Sequence, residues 1–391
     1  MSSRVCLIRQ SIYPYDSLVR REAETLRQAG FETHVICLDD PERGRTQKRN
    51  EIISGIVVHR LPLRRVKGNL TRYMYDYISF AILAALWVTS LHVRNRFDVI
   101  QVNTMPDFLV FSTIIPKLLG TRVVAMMYEP TPELWKSRYD SDAPRILTTI
   151  EQLVLAYVDC SCTVTQQLKE VYVARGADAS KIKVILNVPE EGFLTLQGDG
   201  NGCYLDPEQF VLICHGAVEE RYGHDTILEA VALVKSEIPG IRVRILGKGT
   251  YVQQLLRNKK MLGVDDCVDY LGYLPLAQMV QELRAANVGM VAQKASPYSN
   301  LVHTGKMYDY IALGKPVIAS RLKAVEAYFG EDALRYFEAG NAQSLAEAIM
   351  DLYQNPGKRD ALVVNARNLY GEYRWEKQRE AYLSLYSEIM K

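Results

Sequence analysis

Two successive runs of short apolar segments, each segment followed by a helical stretch, constrain the architecture of this chain more than any other feature. In the first run Arg4 to Arg9, Thr33 to Leu38, Ile56 to Leu61, Asp98 to Val102 and Thr121 to Met127 read as strands. Stretches such as Leu18 to Gln28, Leu70 to Arg94 and Phe108 to Leu119 between them read as helices. Strands alternating with helices are laid side by side in parallel, because a crossover helix returns the chain to the same edge of the sheet. Residues 189–209 break the pattern with four glycines and two prolines, and read as a linker. A second run then starts at Phe210, with strands at Ile241 to Leu246, Cys267 to Leu271, Val288 to Ala292 and Pro316 to Ala319. The pattern predicts two doubly wound, Rossmann-like α/β domains facing across a cleft.

Length agrees, since 391 residues exceed what one ordinary core serves. The predicted division is 1–188 for the N-terminal domain, 189–209 for the linker, 210–372 for the C-terminal domain, and 373–391 for a final amphipathic helix. A net charge of +2 argues against wholesale nucleic-acid binding. The first turn, QSIYPYDSLVRRE, has no glycine, so the dinucleotide fingerprint of a dehydrogenase is absent. Seven cysteines, an odd number without a Cys-x-x-Cys, read as reduced thiols of a cytosolic protein. Cys160 and Cys162 are expected on opposite strand faces, and Asp140-Ser-Asp142 as a solvated loop, so no metal site is expected. The first residues read directly as a strand, so no secretory signal is expected. The longest apolar run, Ile78 to Leu91, is 14 residues, short of a bilayer span and read as a core helix. Arg64, Arg65, Lys67 and Arg72 precede it among apolar residues, so the 59–91 region could rest on an anionic membrane surface.

Chemistry concentrates in Ser299 to Ser320, SNLVHTGKMYDYIALGKPVIAS. Thr304 can cap a helix that Gly314 ends, and a buried strand follows. Unpaired N–H groups at the helix start favour an anion, and Lys306 adds a full positive charge. Asp309, one turn on, can accept from sugar hydroxyls. A cation and a diol acceptor on one helix face suggest a sugar nucleotide. In the turn HGAVEERYGHDTILEA, Gly216 and Gly223 bracket Arg221, a second candidate phosphate cation. Gly247, in the Gly-Lys-Gly turn, and Gly272 with Tyr273 are further strand-end candidates. In the first half, Asn103, Asp107, Tyr128, Glu129 and Glu133 lie at or just beyond strand ends.

These stretches, together with YPYDSLVRREAETLRQAGFETHVI, NTMPDFLVF and ILNVPEEGF, resemble the retaining glycosyltransferases of family 4, with Gly-Lys-Pro-Val-Ile after the Lys306/Asp309 helix the most specific piece. The resemblance implies the GT-B fold, with the last helix crossing back to the first domain. It implies donor binding by the second domain, acceptor binding by the first, and transfer with retained anomeric configuration without an obligatory metal or cofactor. Carried over to this chain, Arg221, Lys306, Tyr128 and Glu129 become the catalytic candidates. Gly216, Gly247, Gly272, Tyr273, Thr304 and Asp309 join Arg221 and Lys306 around the donor, and Tyr15, Asp16, Asn103, Asp107 and Glu133 fall on the acceptor side. Several positions depart from the pattern. Leu301 stands where members commonly carry a glutamate, Ala217 and Tyr222 where Arg and Lys are frequent, and Tyr128 and Asn103 where histidines are frequent.

The expected function is transfer of a sugar from a UDP- or GDP-sugar to a glycan or lipid-linked acceptor in cell-surface polysaccharide or glycoconjugate synthesis. The expected location is cytoplasmic, peripheral on the inner face of the cell membrane. A non-catalytic partner subunit and a nucleotide-sugar epimerase are the alternatives that the departures leave open.

Overall fold

A computed structural model describes residues 3–40, 50–64, 70–139, 141–190 and 208–391. Arg65, Lys67, Asp140, Cys203 and most of the 189–209 segment lie outside the described residues. The chain forms two compact units, Met1–Asn187 with Gln378–Lys391, and Val188–Lys377.

The first unit is built on β1 (Arg4–Ile8), β2 (Glu32–Leu38), β3 (Asn50–Ile53), β4 (Ile56–Leu61), β5 (Val99–Asn103), β6 (Arg122–Met127), β7 (Cys160–Thr163) and β8 (Ile182–Val184). They pair in the order β3-β4-β2-β1-β5-β6-β7-β8, parallel except for β3. The central strands are buried on both faces, as their near-continuous Val, Ile and Leu content requires. Chain order reverses between β1 and β5, which makes their carboxyl ends the topological switch point. Arg9 bridges that point by donating to the Thr104 carbonyl at 2.9 Å and to Asp16 at 3.0 Å.

The second unit holds β9 (Phe210–His215), β10 (Ile241–Leu246), β11 (Val268–Gly272), β12 (Val288–Val291), β13 (Val317–Ser320) and β14 (Arg335–Phe337). Their order is β11-β10-β9-β12-β13-β14, all parallel, the arrangement of a Rossmann sheet with its switch point between β9 and β12.

Arg374, at φ −55° and ψ 160°, ends the helix Pro356–Tyr373, and Trp375–Ile389 follows. The last helix belongs to the first unit from Gln378 onward. Tyr382 and Tyr386 both donate to the side-chain oxygen of Gln101 on β5, at 2.7 and 2.6 Å, and Gln378 accepts from the Leu186 N–H at 2.8 Å.

Four local expectations fail for identifiable reasons. Asn50, expected to end a charged loop begun at Asp39, instead starts the strand Asn50–Ile53, which forms a hairpin with β4 because Ser54 and Gly55 adopt φ of 51° and 78° and close a two-residue turn. The Tyr128 to Glu133 turn runs into a helix at Thr131–Tyr139, where Pro132 is tolerated in the first turn. Phe108 to Leu119 splits into a 3-10 segment Asp107–Thr113 and a short helix Ile114–Leu118. Cys160 and Cys162 do not point apart. Residues two apart on a strand share a face, and a thiol–thiol hydrogen bond holds Cys160 below and Cys162 well above the usual thiol range.

The helix Leu70–Asn95 ends one residue beyond the expected Leu70 to Arg94, and by length and composition it could cross a membrane. Asp76, Phe80, Ala84, Val88 and His92 make a buried stripe along it. Met74, Ile78, Ile82 and Leu86 make an exposed one on another face.

Candidate active site

The carboxyl end of β9 carries His215 and Gly216. Gly216 has φ of 105°, and a Cβ there would meet Lys306 Cε at 3.2 Å. The turn after β9 is laced to the turn after β10, since Gly216 N–H donates to Leu246 and Val218 N–H to Lys248. Gly247 is forced by this closeness, with φ of 132° and a would-be Cβ 1.7 Å from the Gly216 carbonyl oxygen. His215, Gly216, Ala217, Leu246, Gly247, Lys248 and Tyr273 line a cavity of about 310 Å³ at this edge. Lys248 Nζ stands 4.6 Å from the Tyr273 ring centroid, and Gly272 supplies its carbonyl to Gly247 N–H.

Arg221 and Lys306, expected to converge, meet on one aromatic ring. The Arg221 guanidinium carbon lies 5.0 Å and the Lys306 ammonium 4.1 Å from the centroid of Tyr222. Lys306 is nearly buried, and an ammonium without water gains from the negative face of a phenol ring. Its charge reaches His224 as well, whose pKa is pushed down to about 4, chiefly by burial and next by Lys306.

The helix after this loop is shorter than expected, Lys306–Ala312. Gly305, not Thr304, takes its cap position, and Thr304 Oγ1 accepts from the Lys306 N–H only at 3.4 Å. Gly314, at φ 69°, ends it. Asp309 Oδ2 accepts from His215 Nε2 at 3.0 Å. His215 Nδ1 takes a proton bond from the Tyr310 hydroxyl at 2.9 Å, and that hydroxyl accepts the His215 backbone N–H at 3.1 Å. A carboxylate can only accept, so this arrangement places the ring proton on Nε2. The Tyr310 ring reaches β9 across β12 because Gly289 has no side chain: a Cβ there would lie 2.3 Å from the ring.

In the first unit the expected residues separate into two groups. Tyr128 and Asn103 are buried and engaged: the Tyr128 hydroxyl donates to Glu22 Oε1, and Asn103 and Gln101 amides donate to Glu22 Oε2 at 2.6 and 2.8 Å. Burial pushes the Glu22 carboxyl up to about 7, with the Asn103 hydrogen bond opposing. Glu133 is held by Arg175, which also grips Glu151. Asp16 caps the first helix through Leu18 N–H at 3.1 Å. Tyr15 is exposed, Glu129 half-buried, and Asp107 buried with its carboxyl pushed up to about 6 by desolvation.

His215 and Glu22 escaped the sequence reading. His215 stood at the head of a quoted turn, but its partners lie 94 and 95 residues away; Glu22 looked like any helix acid. Among the described residues, no three His, Cys, Asp or Glu side chains form a metal-binding group.

The family described as glycosyl transferase 4-like domain matches residues 17–187, and glycosyl transferases group 1 matches 209–355. This chain belongs to the family 4 type of glycosyltransferases, with the GT-B fold. A D-inositol 3-phosphate glycosyltransferase of Actinosynnema mirum is 25% identical over 268 residues, 64% of this chain and 62% of that protein. The chain thus matches less than two thirds of that relative's length. A GDP-mannose-dependent alpha-(1-6)-phosphatidylinositol monomannoside mannosyltransferase of Mycolicibacterium smegmatis is 24% identical over 40% of this chain and 42% of its own. Among solved structures, a sucrose-phosphate synthase from Thermosynechococcus elongatus superposes with a TM-score of 0.77 at 18% identity, covering 99% of both chains. The Anabaena HepE protein in complex with UDP gives 0.73 at 15% identity, over 99% of this chain and 100% of its own. At these identities the likeness speaks for the fold.

Proposed function

We propose that this glycosyltransferase moves a sugar from a UDP- or GDP-sugar to a glycan or lipid-linked acceptor, with retention of anomeric configuration. The observation that carries the reading is the meeting of Lys306 and Arg221 on Tyr222, beside the Gly216 turn and the His215–Asp309 pair, at the switch point of the second sheet. Breaking the bond between sugar and diphosphate leaves negative charge on the diphosphate. Cations already in place lower that barrier without moving. The glycine turn lets backbone approach phosphate oxygens, and Asp309 offers its second oxygen to a diol. Lys248, Tyr273 and Leu246 line space suited to the nucleoside. The leaving phosphate can take the acceptor's proton, so the engagement of Tyr128 by Glu22 leaves the transfer chemically complete.

The acceptor falls to the first unit in this reading, with Asp107 and Glu129 at its sheet edge. The helix Leu70–Asn95, with its exposed stripe, contacts the short helix Ile114–Leu118, whose Ile114, Ile115 and Leu118 are also exposed, and this apolar surface supports a peripheral position on the inner face of the cell membrane. Synthesis of a cell-surface polysaccharide or glycoconjugate is the corresponding role.

Release of UDP or GDP from a panel of nucleotide sugars tests the reading. Lys306→Met keeps length and burial and removes the charge, and turnover is expected to fall by roughly 10²- to 10³-fold. Unchanged turnover removes Lys306 from the chemistry. Release of nucleotide by neither protein, with any donor, favours the non-catalytic alternative.

A further inference from the structure

The first unit contains a second cavity, of about 250 Å³, enclosed by the start of helix Leu70–Asn95, the 3-10 segment Asp107–Thr113, and the helices Thr131–Tyr139 and Arg145–Tyr157. Its walls are largely apolar: Tyr73, Tyr77, Leu134, Trp135 and Ile150. One buried acid, Asp107, lines it at 4% exposure. The Asp107 carboxyl stands beside Thr104 and Thr131, whose hydroxyl also borders the space. The Thr131 and Thr104 hydroxyls are close enough to draw the carboxyl down against burial, but the Thr104 hydroxyl donates to the Met126 carbonyl, and Asp107 Oδ1 and Thr131 Oγ1 do not reach full hydrogen-bonding geometry with any protein group.

Each half of that description is costly unless a ligand fills it. An empty apolar space forfeits packing, and an unmet buried carboxylate oxygen forfeits a hydrogen bond. One occupant meets both demands: an apolar chain joined to a group with a hydroxyl. A free sugar would leave the walls unmatched, and a plain hydrocarbon would leave Asp107 unmet. The cavity also opens toward apolar surface, since Met74 both lines it and stands 43% exposed at the head of the stripe Met74, Ile78, Ile82 and Leu86. At the rim the exposed Arg138 guanidinium lies 5.7 Å from the ring centroids of Tyr73 and Tyr139.

We propose that this cavity holds the lipid segment of a lipid-linked acceptor, with a hydroxyl next to that segment donating to Asp107. The assignment rests on the transferase reading above and narrows its acceptor from glycan or lipid-linked to lipid-linked. The chain enters past Met74, the one stripe residue that lines the cavity, and the walls select it against free sugars.

n-Octyl glucoside below its micelle concentration and methyl glucoside are the probes, titrated calorimetrically into the full chain. Octyl glucoside is expected to bind at least about tenfold more tightly than methyl glucoside. Leu147→Trp, which fills the cavity, is expected to weaken it at least about tenfold, and Asp107→Asn about fivefold. A surface pair, Ile82→Ser with Leu86→Ser, is expected to leave the affinity unchanged. A cooperative melting transition, recorded for every variant without nucleotide, shows that each one is folded, and its shift by UDP and by GDP is recorded separately. Equal binding of the two glucosides overturns the proposal, as does binding that follows the surface pair and ignores Leu147→Trp and Asp107→Asn. Should Leu147→Trp fail to fold, Asp107→Asn and the surface pair decide. Absence of any nucleotide shift, with octyl glucoside still bound in the cavity, counts against the donor reading and leaves the cavity assignment standing.

Discussion

His215 Nε2 and Asp309 Oδ2 lie 3.0 Å apart, one at the end of β9 and the other on the first turn of the helix Lys306–Ala312. The bond fixes one carboxylate oxygen and leaves the other for a ligand. Asp309→Asn removes the charge that strengthens a bond to a diol, and is expected to raise the donor KM by roughly tenfold. His215→Ala frees Asp309 to rotate and should raise KM in the same direction. Because the two act through one another, the double variant should cost little more than Asp309→Asn alone. Full additivity of the two effects in steady-state kinetics would separate His215 from donor binding.

Gly216 and Gly247 should respond differently to the same added methyl group. At Gly247 the new Cβ runs into backbone, the Gly216 carbonyl, in a left-handed conformation. Gly247→Ala is therefore expected to lower the melting temperature strongly, by several kcal/mol of stability. At Gly216 the neighbour is the flexible end of Lys306, which can move aside. Gly216→Ala, also at positive φ, should lose about 1–3 kcal/mol from backbone strain, less than Gly247→Ala because no backbone atom blocks it, but a larger share of donor affinity, since the cation it displaces belongs to the proposed diphosphate site. Equal thermal losses for the two variants would contradict this assignment of neighbours.

Much of this arrangement was readable because it depends on local pattern. Short apolar strands alternating with helices gave the parallel sheets, and Gly314 followed by Pro316 to Ala319 gave the helix-to-strand step after Lys306. What escaped depends on contacts far apart in the chain. Nothing near His215 points to Asp309 or Tyr310, and nothing near Glu22 points to Tyr128, 106 residues on. The β3–β4 hairpin was missed because Ser54 adopts positive φ without being glycine. Thr304 shows a different limit: the residue type suits a cap, but Gly305 holds that position instead.

The Glu22 network makes stability depend on pH in a definite direction. Its carboxyl is pushed up to about 7 in the folded chain, chiefly by burial, against an ordinary value of 4.5. Between those values the unfolded chain has released a proton that the folded chain keeps. The stability contributed by the protonated group is full below pH 4.5 and is lost as pH rises through 7. Glu22→Gln keeps one acceptor for the two amides and gives Tyr128 a donor, without a proton to lose. The variant is expected to match wild type near pH 4.5 and to exceed it at pH 8 by on the order of 1 kcal/mol or more in denaturant unfolding. A pH-independent difference between the two proteins would place the titration elsewhere.

The outward stripe of the helix Leu70–Asn95 makes the membrane reading testable apart from the acceptor cavity. Ile82 and Leu86 are 57% and 63% exposed, and Leu118, on the neighbouring short helix, is 82% exposed. Apolar area of this kind gains about 25 cal/mol for each Å² taken out of water, and a bilayer interface offers that gain when nearby cations meet anionic headgroups. Arg64 and Arg72 are half-exposed beside the start of this helix. Wild type is expected to float with phosphatidylglycerol vesicles and to be released by salt, and much less with phosphatidylcholine alone. Ile82→Ser with Leu86→Ser should reduce flotation by at least tenfold while leaving nucleotide release unchanged, because neither residue lines a candidate site. Neutralising Arg64 should weaken binding less, since Asp39 lies 4.0 Å from its guanidinium and already offsets part of the charge. Wild-type protein that stays in the supernatant at low salt would remove the membrane from the account and leave the stripe as a surface for another protein.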